Sequence, residues 1–273
     1  MRWNGRKTAL ILLILASLFI IAILVLGNVL MAAATETDFS RKNQAPSWQF
    51  LFGTDWLGRD MFFRTLVGLS MSIRIGLLTA TISALIALVL GSLSAMMGKA
   101  VDSFVTWLID LLMGIPHMLL LILISFACGK GFWGVAIGVM LTHWMSLARV
   151  MRGEILQLKQ SGYVQVARKL GSGRLKVLVL HMLPHLLPQF VVGLILLFPH
   201  AILHEASITF LGFGLSPEQP AIGIILSESM RYLVTGNWWL AVFPGISLVL
   251  LVVLFDYIGN TLRKLLDPNT VHE

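Results

Sequence analysis

The sequence predicts an all-α polytopic membrane protein with six transmembrane helices. Its 273 residues are 57% hydrophobic and only 12% charged, about half the charged share of a soluble chain, and the mean hydropathy is +0.87. The apolar residues also come in blocks. Ala9 to Gly27 is interrupted only by Ser17, enough chain to cross a hydrocarbon core of roughly 30 Å. Such runs are too long for barrel strands, so helices must satisfy the backbone polar groups in lipid.

Taken in order, the spans fall near residues 9–31, 73–97, 103–127, 132–149, 186–211 and 238–262. The first follows Arg2, Arg6 and Lys7 and has two readings, a retained anchor or a secretory signal with Ala32, Ala33 and Ala34 at its cleavage site. Its length exceeds the apolar run of about 7–15 residues in a signal, which favours the anchor. This divides the chain into a tip and first span (1–34), an extracytoplasmic segment (35–70), a transmembrane core (71–268) that includes the loop 150–185, and a tail (269–273). Basic residues set the orientation. With the N-terminus inside, thirteen of the twenty Lys and Arg residues are cytoplasmic, and so are both termini. The net charge of +7 therefore reads as a topology signal and calls for no nucleic acid. The single cysteine, Cys128, excludes an internal disulfide and any Cys-based zinc or iron–sulfur site.

Between the fourth and fifth spans, residues 150–185 carry Arg152, Lys159, Arg168, Lys169, Arg174 and Lys176 against Glu154 alone. Tyr163, Val164, Ala167 and Leu170 recur at helical spacing, Gly171-Ser172-Gly173 breaks the run, and Leu175, Val177, Leu178 and Leu180 start another, limited by Pro184. Two short amphipathic helices meeting at a glycine turn fit either a membrane surface or a groove in a partner protein.

Gln165-Val166-Ala167, then Gly171, then His181-Met182-Leu183-Pro184 after nine residues resembles the EAA loop of ATP-binding-cassette (ABC) importer permeases. Ala167, Gly171, Leu183 and Pro184 fit that pattern; Gln165, Val166 and His181 depart from it but keep its spacing. Gly53-Thr54-Asp55-Trp56-Leu57-Gly58-Arg59-Asp60, with Arg64 following, resembles the opening segment of second-type permease subunits of dipeptide, oligopeptide and nickel importers. Ser207-Ile208-Thr209-Phe210-Leu211-Gly212-Phe213-Gly214 and Asp267-Pro268 resemble the closing part of the same subunits.

The resemblance implies a type I ABC importer permease fold in a bacterial cytoplasmic (inner) membrane. It implies a heterodimer with a second homologous permease, two cytoplasmic ATP-binding subunits that use ATP and magnesium, and an extracytoplasmic substrate-binding protein. This chain is then a transport subunit, neither an enzyme by itself nor a cofactor carrier, and it holds no Gly-x-x-x-x-Gly-Lys-[Ser/Thr] loop. Gln165, Ala167, Leu170, Gly171, Leu175, Leu183 and Pro184 are the expected ATPase-coupling residues. Gly53, Asp55, Gly58, Arg59 and Asp60 are expected to order the outer loop, with Arg59 near enough to Asp55 to pair.

Ionisable groups inside spans point to cargo, because they are costly there unless paired, hydrated or used. The fifth span carries His200, His204 and Glu205. Four apart, the two histidines share a helix face, and imidazoles suit borderline transition metals. The pair resembles the His-x-x-x-His of nickel-import permeases, and Thr142-His143-Trp144 with Arg149 and Arg152 resembles their fourth span. This places nickel or a transition-metal chelate first, with dipeptide or oligopeptide as the alternative. The competing reading is that these histidines bond to neighbouring helices. Met113, His117 and Met118 around Pro116 read as core filling before a soft-ligand step. An intramembrane protease is disfavoured, since His204-Glu205 is followed by Ile208 where a zinc-protease helix needs its second histidine. A channel would need no coupling loop.

Overall fold

The computed structural model describes residues 5–266. Arg2, the Arg6 side chain, Asp267-Pro268 and the 269–273 tail lie outside the described residues. Among the described residues there is no β-strand, only an isolated antiparallel bridge between Thr54 and Asp60.

The first span is α1 (Gly5–Val29), followed by the short α2 (Met31–Thr35). Its Leu10, Ile14, Leu15 and Leu18 are exposed although apolar, while Ala16, Ile20 and Ile23 are buried; one face meets the bundle and the other suits lipid. The second span, α3, runs from Met61 to Met96. It begins twelve residues before the expected position 73, because Asp60 caps it by accepting bonds from Phe62 N and Phe63 N at 2.8 and 3.2 Å. Its 36 residues make a rod of about 54 Å, longer than the hydrocarbon core. The extracytoplasmic segment expected over 35–70 therefore ends near residue 60.

The expected third span, 103–127, is not one helix. It is α4 (Lys99–Met113) followed by α5 (His117–Ala127), bent by 96°. Pro116 lacks a backbone N–H and disfavours helical geometry at Ile115, so the chain turns at Gly114-Ile115-Pro116. The fourth span, α6 (Gly131–Leu158), continues nine residues beyond the expected end at 149. Next come α7 (Gly162–Lys169) and the single turn α8 (Arg174–Val177). A π-helical turn over 178–182 then leads into α9 (Leu183–Phe210). Arg174–Phe210 is one continuous helical span of 37 residues, so Pro184 does not limit the second amphipathic run as expected; it follows the π-turn directly, and the span passes through it. The chain closes with α10 (Ile222–Leu233) and the sixth span α11 (Trp239–Leu266).

Helix α3 is the hub, packed on α1, α6 and α9. Lipid offers no hydrophobic drive for helix association, so close approach matters. A Cβ on Gly91 would lie 2.7 Å from the Ala148 carbonyl oxygen, and one on Gly76 would lie 2.8 Å from Ile202. One end of the bundle carries residues 36–60, the turn at 128–130 and residues 211–237, joined by the Gly131 N to Gly214 O bond and by Arg64 with Glu228. The other end carries the α3–α4 turn and α7–α8, where Lys159 Nζ donates to Ala95 O at 2.8 Å.

Candidate functional site

The break between α4 and α5 opens a cavity of about 750 Å³ among α4, α5, α6 and α9. Its walls are mostly apolar, and its polar groups are Thr142, Ser146, His117, His143, His200 and His204. Three of these histidines converge from three helices. Ring centroids of His117 and His204 are 4.5 Å apart, and His143 is 5.1 Å from each. One ring nitrogen from each of the three falls within 4.8 Å of the others. His143 is buried; its Nδ1 lies 3.0 Å from the Val139 carbonyl oxygen, while its Nε2 has no partner.

His204 meets His143 and His117 rather than the expected His200. His200 lines the cavity outside the three-histidine group. Glu205 belongs elsewhere, because one residue advances a helix by about 100°. Its carboxylate faces α3 and accepts from Ser72 Oγ at 2.7 Å and Thr209 Oγ1 at 3.1 Å, fully buried. Glu205, expected with the histidines, does not line this cavity or join the three rings. His117, expected as core filling, joins the cluster, and Met118 Sδ sits 3.3 Å from His204 Nδ1. Pro116 was the available signal, since a broken helix in a membrane belongs beside protein or a water-filled cavity.

At the end of the bundle carrying α7 and α8, Val164 and Val177 are fully buried against Ala95, Met96, Ile155, Met182 and Leu186. This anchor leaves Leu170 80% and Leu175 73% exposed on either side of Gly171, whose φ of +85° favours glycine. Ala167 is partly buried, Gln165 Nε2 donates to Gln160 O at 3.1 Å, and Leu183 packs on the anchor while Pro184 is exposed. Arg152 makes a two-bond contact with Asp102 of α4, and Arg149 pairs with Asp110, tying α6 to α4 at this end.

At the opposite end Asp55 is fully buried. It accepts from Leu57 N, Arg59 N, Arg59 Nε and Arg64 Nη1, the last two at 2.7 Å. Arg64 also reaches Glu228 on α10 at 3.0 Å, and Trp56 stacks on Tyr232 with centroids 4.5 Å apart. Gly58 (φ +75°) passes so close to Asp38 that a Cβ would sit 1.8 Å from its carbonyl oxygen, and Gly53 (φ +70°) abuts the Trp239 ring. The outer loop is thereby bound to α3 and α10. Burial pushes the Asp60 carboxyl above its ordinary value, and the Phe63 and Phe62 N–H bonds pull it back.

A bundle of apolar helices with a cavity at a broken span, and an exposed apolar turn on a basic loop, defines a membrane-embedded transport subunit. The chain belongs to the family described as "Binding-protein-dependent transport system inner membrane component", which matches residues 87–272. It is a permease subunit of an ABC importer and a multi-pass inner-membrane protein. It is 31% identical over 258 residues to the dipeptide transport system permease protein DppC of Bacillus subtilis, covering 94% of this chain and 80% of the relative. It is 32% identical to the oligopeptide transport system permease protein OppC of the same organism, covering 98% and 88%. A putative peptide transport system permease of Brucella abortus is 35% identical over 92% of this chain and 86% of its own length.

Proposed function

We propose that this subunit forms half of the translocation path of an ATP-driven importer of short peptides. The reading of cargo rests on relatives named for dipeptide and oligopeptide transport along nearly the whole chain; none of those cited is named for nickel, so the order of cargoes expected from the sequence is reversed. A second homologous permease completes the path, two ATP-binding subunits use ATP and magnesium, and an extracytoplasmic binding protein delivers the peptide. The α7–α8 end faces the cytoplasm, where positive charge gathers.

The observation that carries the coupling role is the exposed pair Leu170 and Leu175 around Gly171, beside the buried Val164 and Val177. Apolar side chains offered by an anchored turn fit an ATPase groove. Closure of the ATPase pair would then rotate α6 and α9 as rigid bodies and shift the inward/outward equilibrium. The test is uptake of a labelled dipeptide with and without this subunit, together with ATP hydrolysis by the assembled complex. Loss of dipeptide uptake on deletion supports the reading, and unchanged uptake overturns it. A second reading, nickel or a transition-metal chelate as cargo, is favoured by one observation, the convergence of His117, His143 and His204.

A further inference from the structure

We propose that His117, His143 and His204 form a reversible binding site for a divalent transition-metal ion at the wall of the cavity. This sharpens the second cargo reading, on which it rests only for the destination of the ion, because the site itself is defined by geometry. The three ring nitrogens lie within 4.8 Å of one another. Around an ion with metal–nitrogen bonds near 2.1 Å and tetrahedral angles they would stand about 3.4 Å apart, so side-chain adjustments of about an ångström close the set.

His143 is prepared for this. Its Nδ1 lies 3.0 Å from Val139 O and 3.1 Å from Thr142 Oγ1. A carbonyl oxygen only accepts and the Thr142 hydroxyl proton goes to Gly138 O, so the tautomer that satisfies all three contacts has its proton on Nδ1 and a lone pair on Nε2. That Nε2 is buried with no partner, an arrangement that costs stability unless something is bound. A metal-bound histidine commonly donates its other nitrogen to a carbonyl in this way. The thioether of Met118 beside His204 adds a soft atom to a nitrogen-donor group that excludes magnesium and calcium in favour of nickel, cobalt, copper or zinc.

The cavity lining contains no Asp or Glu, so nothing in the wall neutralises a doubly charged ion. Three neutral imidazoles also leave coordination positions open. Both features favour weak, exchangeable binding and an ion that brings its own anionic ligand, such as the carboxylate of an amino acid or short peptide. One chemistry thus has two sources, the bare ion and the chelate.

The experiment uses the detergent-purified assembled transporter. Equilibrium dialysis with Ni²⁺ or Co²⁺ in excess Mg²⁺ is expected to find one ion per copy of this subunit, with a Co²⁺ absorption spectrum of nitrogen coordination. The substitutions His143→Asn, which keeps a donor for Val139 O, and His117→Ala with His204→Ala are each expected to weaken binding at least about tenfold while thermal melting and assembly are retained. Absence of stoichiometric binding by the unmodified complex overturns the site, as does undiminished binding in the folded His143→Asn variant. Cellular uptake of radioactive nickel, offered bare or with glycyl-histidine, then identifies the source. Uptake only with the dipeptide supports a chelate, and uptake of the bare ion supports the free cation. Metal bound in vitro but carried in neither form upholds the site and overturns the second cargo reading.

Discussion

Asp55 shows how strongly one side chain can organise the outer end. Its carboxylate is the meeting point of Arg59 and Arg64 and of two backbone N–H groups, and Arg64 is itself buried. Removing the acid leaves a buried guanidinium sharing only Glu228, so Asp55→Ala is expected to destabilise the subunit by about 3–5 kcal/mol. A lowered melting temperature of the purified complex would register it. Asp60 behaves differently. Because burial raises its carboxyl pKa, the ionised form is disfavoured in the fold, and stability from this group falls as pH rises through that raised value. Asp60→Asn keeps the acceptor for the Phe62 and Phe63 N–H groups and is expected to be neutral or mildly stabilising at pH 7. Asp60→Ala loses the cap and about 1 kcal/mol. Parallel thermal melts of the two variants separate capping from charge. The Asp55–Arg59 pair was legible from sequence because the residues are four apart. Glu228 was not, since it approaches Arg64 only when α10 packs beside α3.

Helical elements carry the coupling and the cavity. Gly171 has a positive φ and open space around it, so substitution there strains the backbone without a clash. Gly171→Pro cannot adopt that φ and is expected to abolish ATP-coupled uptake while the subunit still inserts; normal uptake would refute the role of the turn. Leu170→Ser with Leu175→Ser removes the exposed apolar pair without touching the buried anchor. It is expected to lower stimulated ATP hydrolysis at least about tenfold while the melting temperature of the permease pair stays unchanged, and unaltered hydrolysis would show that this turn does not dock. The first amphipathic helix and the glycine turn were visible in the spacing of apolar residues, whereas the second run continues through Pro184 into α9 as one span of 37 residues. The start of the first was displaced, because α6 extends to Leu158 under tertiary packing of Met151 and Ile155. Pro116 was visible too, but a proline in an apolar run gives no bend angle; the 96° turn emerges only when α5 packs on α6.

Across the whole molecule, the basic residues of α6–α8 gather at one end and Cys128 lies exposed at the other. If the positive end is cytoplasmic, an impermeant thiol reagent is expected to label Cys128 in intact spheroplasts. A Lys169→Cys substitution in a Cys128→Ser background is expected to react only after permeabilisation. The reverse pattern would invert the topology. Composition and apolar run length by themselves determined that the chain is a helical membrane protein with about six crossings, and the order of its motifs determined the permease family, because both properties are local and additive along the chain. Which histidines meet, where Glu205 turns and where a span breaks were decided only by the tertiary structure. Those properties depend on the azimuth of each helix against its neighbours. His117, His143 and His204 are separated by 26 and 61 residues in sequence, and only packing of α5, α6 and α9 around one cavity brings their rings together.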